Sequence, residues 1–396
     1  MSLASAVWRS VTSSLARPLV RGAQRDMGTY QDLRVPVPWG HIAGRASGPE
    51  DGRPLLMLHG LMDNCGSFEG IQPHLPSGYR CISIDLPGHG LSSHLPAGVM
   101  YDFFKGVTYI ALVRRFFGWE QFSLLGHSLG AGMALLYASC FPLEVRSLAV
   151  LDPVMLTVDE SKQPDVTRDC VLAYTKVMEK RLQTPPTGVP YEELRHRVMS
   201  HALIADPAAA DTLLVRGCRR LTSDTSGLGR MTADREQTTP DPARSAAAAD
   251  STDGSTFDLH AADSVAPQPA AAGAGGERLG PDLYCLTSDP VHRITSLLQS
   301  LSARQYAAYL SRLQCRLLVV LADDGDRWGT PQDERIALEA CKRALGSQMT
   351  TVTVPGTHHV HLCHPGRVLG HVVNFLDTWD GKECADEEQA VGSAAQ

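Results

Sequence analysis

An uncharged run of twenty residues constrains most strongly how this chain can fold. The segment FSLLGHSLGAGMALLYASCF, residues 122–141, carries no charged side chain. About twenty apolar residues are enough to cross a bilayer as a helix. Glycines and a histidine, however, occupy the part of the run where a membrane helix is most apolar. The pattern instead predicts a short strand, a tight turn between glycines, and a helix.

The segments around this run alternate between buried strands and helices. Strands are predicted at 54–60, 79–90 and 145–152, and a helix that ends at a glycine is predicted at 103–118. The same alternation returns with strands at 315–326 and 349–356 and helices at 332–345 and 365–379. Because strands that alternate with helices form parallel sheets, we predict an α/β fold with a mostly parallel central sheet, made from residues 28–152 and 315–380.

Residues 153–314 break this rhythm and predict a helical cap inserted into the sheet domain. Helical patterns occupy 165–183, 190–203 and 206–220, and the last opens with Asp206 and Pro207, a typical capping pair. Within the cap, residues 238–276 consist mainly of Ala, Asp, Ser, Pro and Gly. Because this insertion has few large apolar side chains, their burial cannot offset the entropy cost of ordering the chain. The insertion is therefore predicted to be disordered.

The chain ends carry their own signals. Residues 1–27 contain four arginines and no acid before Asp26, and apolar residues recur there at helical spacing. This is the composition of a mitochondrial transit peptide, which predicts import into the matrix. A basic tail on a cytoplasmic or peroxisomal protein is the alternative, although the final SAAQ is not a peroxisomal address. Residues 381–396 are predicted to be a disordered tail.

Net charge and cysteine spacing limit the classes of ligand and partner that this chain is expected to bind. The net charge of −7 argues against a nucleic-acid-binding surface, because such surfaces are rich in Lys and Arg. Ten cysteines occur without a C-x-x-C pair, so a zinc ribbon and a thioredoxin-like motif are both unsupported. We expect a small-molecule partner, no cofactor and no transmembrane segment, and we leave the oligomeric state open.

The turn in the opening run has the spacing of a nucleophile. Gly126-His127-Ser128-Leu129-Gly130 fits G-x-S-x-G after a strand and before a helix, which predicts Ser128 as a catalytic nucleophile. His358, in a loop after the last predicted strand, is the candidate base. The acid should lie between them in the chain. Asp324 at the end of a strand is preferred, and Asp326 and Asp152 are the alternatives.

The remaining polar motifs support this interpretation. The backbone N–H groups of Leu61 and Leu129 occupy the positions expected for an oxyanion hole. The segment DLPGHGLSSH, residues 85–94, lacks the spacing of a dinucleotide-binding loop. His359, His361 and His364 follow the candidate base and raise the question of a metal site. Because their spacing lacks a carboxylate partner, no metal is expected.

Several motifs together resemble the serine hydrolase-like family of the α/β-hydrolase superfamily. They are VPVPWGHIAG (35–44), LHGLMDNCGSF (58–68), DLPGHGLSSH (85–94), LLGHSLG (124–130), LLVRG (213–217), DPVHRITSLL (289–298) and VPGTHHVHL (354–362). The resemblance implies Ser128 as nucleophile and His358 as base. It assigns the acid less firmly, because ADDGD departs from the family's G-x-x-D pattern. A serine at this turn disfavours dehalogenase and epoxide hydrolase chemistry, which use aspartate there.

The function predicted from these observations is a serine hydrolase that cleaves a carboxylic ester, a thioester or a related acyl substrate through an acyl-enzyme on Ser128. The alternative is a catalytically weak binding or regulatory protein that keeps the fold, because a fold alone does not guarantee activity. A cofactor-free lyase or perhydrolase with the same three residues is a third reading. The identity of the acyl substrate is left open.

Overall fold

The structure, a computed structural model, describes residues 30–153, 157–183, 187–202, 204–221, 282–295, 300–325 and 330–377. The predicted leader, the low-complexity segment 238–276, the tail 381–396 and Asp326 lie outside these residues. One compact unit comprises Met1–Leu221 with Leu283–Gln396. The second unit, Thr222–Asp282, contributes only Asp282 to the described chain.

Two sheets are formed by the described strands, which are β1 (Gln31–Val37), β2 (Gly40–Ser47), β3 (Arg53–Leu58), β4 (Tyr79–Ile84), β5 (Phe122–His127), β6 (Val145–Leu151), β7 (Val189–Pro190), β8 (Cys218–Arg220), β9 (Leu283–Leu286), β10 (Arg316–Asp324) and β11 (Met349–Thr357). The larger, eight-stranded sheet has the order β1-β2-β4-β3-β5-β6-β10-β11. Its first two strand pairs, β1 with β2 and β2 with β4, are antiparallel, and every other pair is parallel. The predicted mostly parallel sheet is therefore confirmed, while the hairpin of β1 and β2 was not anticipated.

Both faces of this sheet are covered, which explains why its central strands are apolar throughout. In β3, Leu56 and Leu58 join the core on one face, and Leu55 and Met57 join the core on the other. Successive side chains of a strand point to opposite faces, so a strand buried on both sides shows no polar alternation. Because the central strands are parallel, their carboxyl ends and the loops that follow them lie at the same edge of the sheet.

The helices that cover the sheet are α1 (Lys105–Phe117), α2 (Ser128–Cys140), α7 (Ala303–Leu310), α8 (Pro331–Leu345), the short α9 (Val360–Cys363) and α10 (366–377). α1 ends at Gly118, whose φ of 70° is the left-handed conformation that glycine adopts readily. α2 is buried over almost its whole circumference, which accounts for the lack of charge in the run 122–141. None of the helices in the described ranges is long and apolar enough to cross a membrane.

The described part of the cap contains α3 (Gln163–Gln183), α4 (Tyr191–Ala202), α5 (Pro207–Gly217) and α6 (His292–Thr295). As predicted, Asp206 caps α5, and its side chain accepts a hydrogen bond from the backbone N–H of Ala208 at 2.9 Å. A small antiparallel sheet, in the order β7-β9-β8, joins these helices. Its strands have two to four residues, too few for a periodic pattern in the sequence.

A buried ion pair fastens the cap to the core. Arg216, near the end of α5, places its Nη2 2.7 Å from Oδ2 of Asp85, which follows β4. Both side chains are buried, and Asp85 also accepts hydrogen bonds from the backbone N–H groups of Cys65 and Leu91. Burial opposes ionisation of Asp85, but the guanidinium of Arg216 outweighs it and lowers the pKa of the carboxyl group.

The boundary between cap and core differs from the prediction. α7 packs against α2 and α8 in the main core, and its Tyr306 is fully buried there, with its hydroxyl 3.4 Å from the carbonyl of Gly132. The expected end of the cap at residue 314 is therefore too late, since residues from Ala303 onward belong to the core. The amphipathic pattern of α7 does not say which surface it covers, so the sequence alone could not place it.

Candidate active site

Ser128 lies at a sharp turn between β5 and α2. Its φ of 52° is in the left-handed region, which residues with a side chain adopt at a cost in energy. The flanking glycines make the turn possible. A Cβ atom on Gly126 would stand 2.5 Å from Cα of Ala131, and one on Gly130 would stand 2.3 Å from the carbonyl oxygen of Leu58. The G-x-S-x-G spacing is thus a steric requirement of this turn.

His358 and Asp152 complete a chain of hydrogen bonds with this serine. Nε2 of His358, in the loop after β11, lies 2.8 Å from Oγ of Ser128. Nδ1 of the same ring lies 2.6 Å from Oδ2 of Asp152, which directly follows β6. All three residues are less than 9% exposed. Because a carboxylate only accepts hydrogen bonds, the proton is held on Nδ1, and Nε2 faces the hydroxyl as an acceptor.

The structure corrects the preference for Asp324 as the acid. Asp324 is the last residue of β10, its side chain is exposed, and Asp152 occupies the place beside His358. β6 and β10 are adjacent and parallel, so their carboxyl ends reach the same edge and both offer an acid there. The two acids differ in the direction of their side chains. The backbone of Asp152 has a φ of 40°, and its Oδ1 is held by a hydrogen bond from the backbone N–H of Ala322 at 2.9 Å.

The residues on either side of Asp324 make contacts of their own near the site. Oδ1 of Asp323 accepts a hydrogen bond from the backbone N–H of Gly356 at 2.8 Å, so this acid joins β10 to the strand before His358. Gly325 packs against Asp152, since a Cβ atom there would lie 2.5 Å from Oδ2 of that carboxyl group. No local feature of the sequence records this contact, because Asp152 and Gly325 are far apart in the chain.

The loop after β3 carries Leu61, one predicted oxyanion donor. Two buried histidines hold this loop. Nε2 of His59 accepts from the N–H of Leu86 at 2.9 Å, and Nε2 of His89 accepts from the N–H of Met62 at 3.1 Å. Burial lowers the pKa of His89 to about 3, so its ring stays neutral and can accept. The role of these histidines was not apparent from the sequence.

Leu129, the other predicted donor, is the second residue of α2. The N–H groups of a helix's first turn have no partner within the helix, and the helix dipole favours negative charge there. The backbone N–H of Leu129 therefore belongs to the first turn of α2, directly after Ser128.

One group of three potential metal ligands occurs among the described residues. It consists of Asp63, His127 and His359, all of them buried. Sequence spacing indicated that the histidines near His358 lack a carboxylate partner, and this was wrong. Asp63, far away in the chain, approaches His359 to 3.2 Å because its loop and the His358 loop meet at the same edge of the sheet.

The sheet order and the serine turn define a class of protein, the α/β hydrolases, and the comparisons agree. Residues 53–188 match the alpha/beta hydrolase fold family. The chain is 29% identical over 350 residues to a probable serine hydrolase of Drosophila melanogaster, with 88% of each chain covered. It is 35% identical over 162 residues to a serine hydrolase-like protein of Homo sapiens, covering 41% of this chain and 80% of that protein.

Among solved structures, the thioesterase domain from the curacin biosynthetic pathway superposes with a TM-score of 0.59 at 17% identity. The superposition covers 87% of this chain and 99% of that domain, and at this identity it shows the fold alone. The chain belongs to the α/β-hydrolase superfamily and, within it, to the serine hydrolase-like family, as its motifs indicated. Membership supports a hydrolase activity in the broad sense.

Proposed function

We propose that this protein is a serine hydrolase that cleaves a carboxylic ester, a thioester or a related acyl compound through an acyl-enzyme on Ser128. The observation that carries the proposal is the continuous hydrogen-bonded chain from Asp152 through His358 to Ser128, with distances of 2.6 Å and 2.8 Å. A serine hydroxyl is a weak nucleophile unless a base removes its proton, and this arrangement supplies one.

Each residue has a defined role in the proposed reaction. Nε2 of His358 takes the hydroxyl proton while Oγ of Ser128 attacks the acyl carbon, and Asp152 stabilises the imidazolium that forms. The N–H groups of Leu61 and Leu129 bind the oxyanion, and each such donor contributes about 2.7–4 kcal/mol to lowering the barrier. The imidazolium then gives its proton to the leaving alcohol or thiol. A water molecule, deprotonated by the same ring, releases the acid and restores Ser128.

A fluorophosphonate probe tests the nucleophile directly. We expect the full-length protein to be labelled on Ser128 and the Ser128→Ala variant to remain unlabelled. A matched control is Ser139→Ala, because Ser139 lies on the same helix and is also buried. Absence of labelling in a folded wild-type protein would instead favour the catalytically weak binding or regulatory protein.

The substrate class needs a second experiment. A series of p-nitrophenyl esters and acyl thioesters of increasing chain length, assayed with the wild type and Ser128→Ala, separates esterase from thioesterase activity. Hydrolysis that depends on Ser128 in either series supports the proposal. Labelling by the probe without turnover of any acyl compound would favour another reaction of the same three residues.

We further propose that the protein is imported into the mitochondrial matrix. The support is the composition of the leader, residues 1–27, which contains four arginines and no acid before Asp26. Isolated mitochondria should shorten the full-length chain and protect the product from added protease. A chain that lacks residues 1–27 should stay outside, and import of that shortened chain would contradict the proposal.

A further inference from the structure

A second group of buried polar side chains lies directly behind Ser128 and His358. Asp63, His127 and His359 are 3%, 0% and 5% exposed, and one ligand atom from each lies within 4.8 Å of the other two. The proposed hydrolysis uses none of these side chains. His127 immediately precedes Ser128, and His359 immediately follows His358, so the group is joined to both by the backbone.

The hydrogen bonds of His127 leave one of its ring nitrogens facing a carboxylate. Nε2 lies 3.0 Å from the carbonyl oxygen of His358 and must donate, because a carbonyl only accepts. In a neutral ring Nδ1 then carries a bare lone pair. Nδ1 lies 3.5 Å from Oδ2 of Asp63 and has no hydrogen-bond partner among the described residues.

The contact with Asp63 does not supply the missing donor, because the oxygens of a carboxylate only accept hydrogen bonds. Two acceptors that face each other away from water repel unless a cation lies between them.

Gly60 packs closely against this contact. A Cβ atom on Gly60 would stand 2.8 Å from Nδ1 of His127 and 3.0 Å from Oδ2 of Asp63, so any larger residue would displace one of these two atoms. His361 is fully buried, its ring centroid is 4.0 Å from that of His127, and neither of its nitrogens has a hydrogen-bond partner among the described residues. Buried ring nitrogens normally have a partner.

We propose that Asp63, His127 and His359 form a binding site for a divalent cation, with Zn²⁺ as the preferred ion. Two imidazole nitrogens and a carboxylate oxygen are the donors that Zn²⁺ takes in proteins. Ligands of a tetrahedral zinc ion are about 3.3 Å apart, given metal–ligand distances of about 2.0–2.2 Å. Oδ2 of Asp63 lies 3.2 Å from Nε2 of His359 and 3.5 Å from Nδ1 of His127, close to that spacing.

The bond from His127 to the carbonyl of His358 fits the same site. Histidine ligands of metals usually donate their second ring N–H to a carbonyl or carboxylate, which fixes the ring and its tautomer. A cation here touches no atom of the acyl substrate. It holds the loop of His358 against the loop that carries Leu61, so its role is to position the base and one oxyanion donor.

The test is metal binding by the full-length protein. The chelator-treated chain is titrated with Zn²⁺ by calorimetry, and with Co²⁺ while the visible absorption that reports tetrahedral N/O ligation is recorded. One ion per chain should bind. His359→Gln and Asp63→Asn should each weaken binding roughly 100-fold or more, since lesser changes around metal sites already cost about 10–100-fold. Gly60→Ala keeps every ligand, but its Cβ atom would displace His127 or Asp63, so this variant should also lose the ion.

His364→Gln is the matched control, because His364 lies on the same segment and is exposed. It should bind like the wild type, and circular dichroism should show that every variant is folded. The proposal is overturned if the wild type binds no ion, which would mean that a proton bridges Asp63 and His127. It is also overturned if His359→Gln and Gly60→Ala bind as tightly as the wild type. The readout is metal content, so it does not depend on the proposed hydrolysis.

Discussion

Three residues other than glycine have a positive φ in the described chain, and all three lie around one site. They are Met62 at 65°, Ser128 at 52° and Asp152 at 40°. Each follows the carboxyl end of a strand of the large sheet. Such a conformation costs on the order of 1–3 kcal/mol and persists where the surrounding structure enforces it. Strain is therefore concentrated on the proposed nucleophile, on the acid that contacts His358, and on the residue after Leu61.

The position of the acid gives a prediction at this scale. We expect Asp152→Asn to lower kcat by on the order of 10⁴-fold with little change in KM. The amide of asparagine can donate to Nδ1 of His358 and so stabilise the tautomer that carries its proton on Nε2. In that tautomer Nε2 cannot accept the proton of Ser128. Steady-state kinetics with a p-nitrophenyl ester measures it. Asp324→Asn is the control and should retain activity. A larger loss in Asp324→Asn than in Asp152→Asn would contradict the placement of the acid.

The junction of β5 and α2 is the element that brings Ser128 to the site, and its tight packing can be tested. Gly130→Ala would place a Cβ atom 2.3 Å from the carbonyl oxygen of Leu58, so the helix must move away from β3. We expect a loss of roughly 1–3 kcal/mol in the free energy of unfolding, typical of overpacking, and loss of fluorophosphonate labelling. Urea denaturation gives the free energy.

Gly370→Ala is the matched control for this substitution. Gly370 lies within α10, and a Cβ atom there meets nothing within 4 Å. Replacing a helical glycine by alanine should raise stability by about 0.5–1 kcal/mol, because the unfolded chain loses conformational freedom. Equal effects of the two substitutions would mean that the turn tolerates a side chain.

The attachment of α5 to the core predicts a stability effect of its own. Arg216→Met leaves the carboxylate of Asp85 buried without its cation, so the free energy of unfolding should fall by about 3–5 kcal/mol. Arg197→Met removes an exposed pair with Glu193, where both side chains are about half exposed, and should change it by about 0–1 kcal/mol. Urea denaturation of both variants distinguishes them, and similar losses would contradict a special role for the buried pair.

At the scale of the whole molecule, residues 220–221 and 283–284, which are far apart in the sequence, lie next to each other. β8 and β9 are antiparallel with Arg220 opposite Tyr284, and the N–H of Leu221 donates to the carbonyl of Leu283 at 2.8 Å. A short connection can therefore join them. We expect deletion of 238–276 to preserve fluorophosphonate labelling and to raise stability by about 1 kcal/mol through the lower entropy cost of a shorter loop.

Thermal unfolding measures the stability of the shortened chain beside the full-length protein. Ser128→Ala in the shortened chain is the control, because loss of labelling in this variant shows that the probe reacts with Ser128. Loss of folded protein on deletion would mean that the low-complexity segment takes part in the core.

The elements of the large sheet could be predicted where burial imposes a pattern. The strands near 54–60, 145–152 and 349–356 and the helix near 332–345 agree with β3, β6, β11 and α8 within a few residues. The hairpin of β1 and β2 was missed, because half-exposed strands with Gly and Pro carry a weaker signal. The cap boundary was misplaced, because an amphipathic helix such as α7 shows that one face is buried but not against which surface.

The sequence by itself determined the class of fold, the serine at the turn and the histidine near the C-terminus, because glycine spacing and buried apolar runs are local constraints written into neighbouring residues. Only the tertiary structure decided which acid meets His358, since Asp152 and Asp324 end adjacent parallel strands and differ in the direction that packing gives their side chains. It alone brought Asp63 to His127 and His359, because contacts between distant loops depend on strand order in the sheet, which no local pattern records.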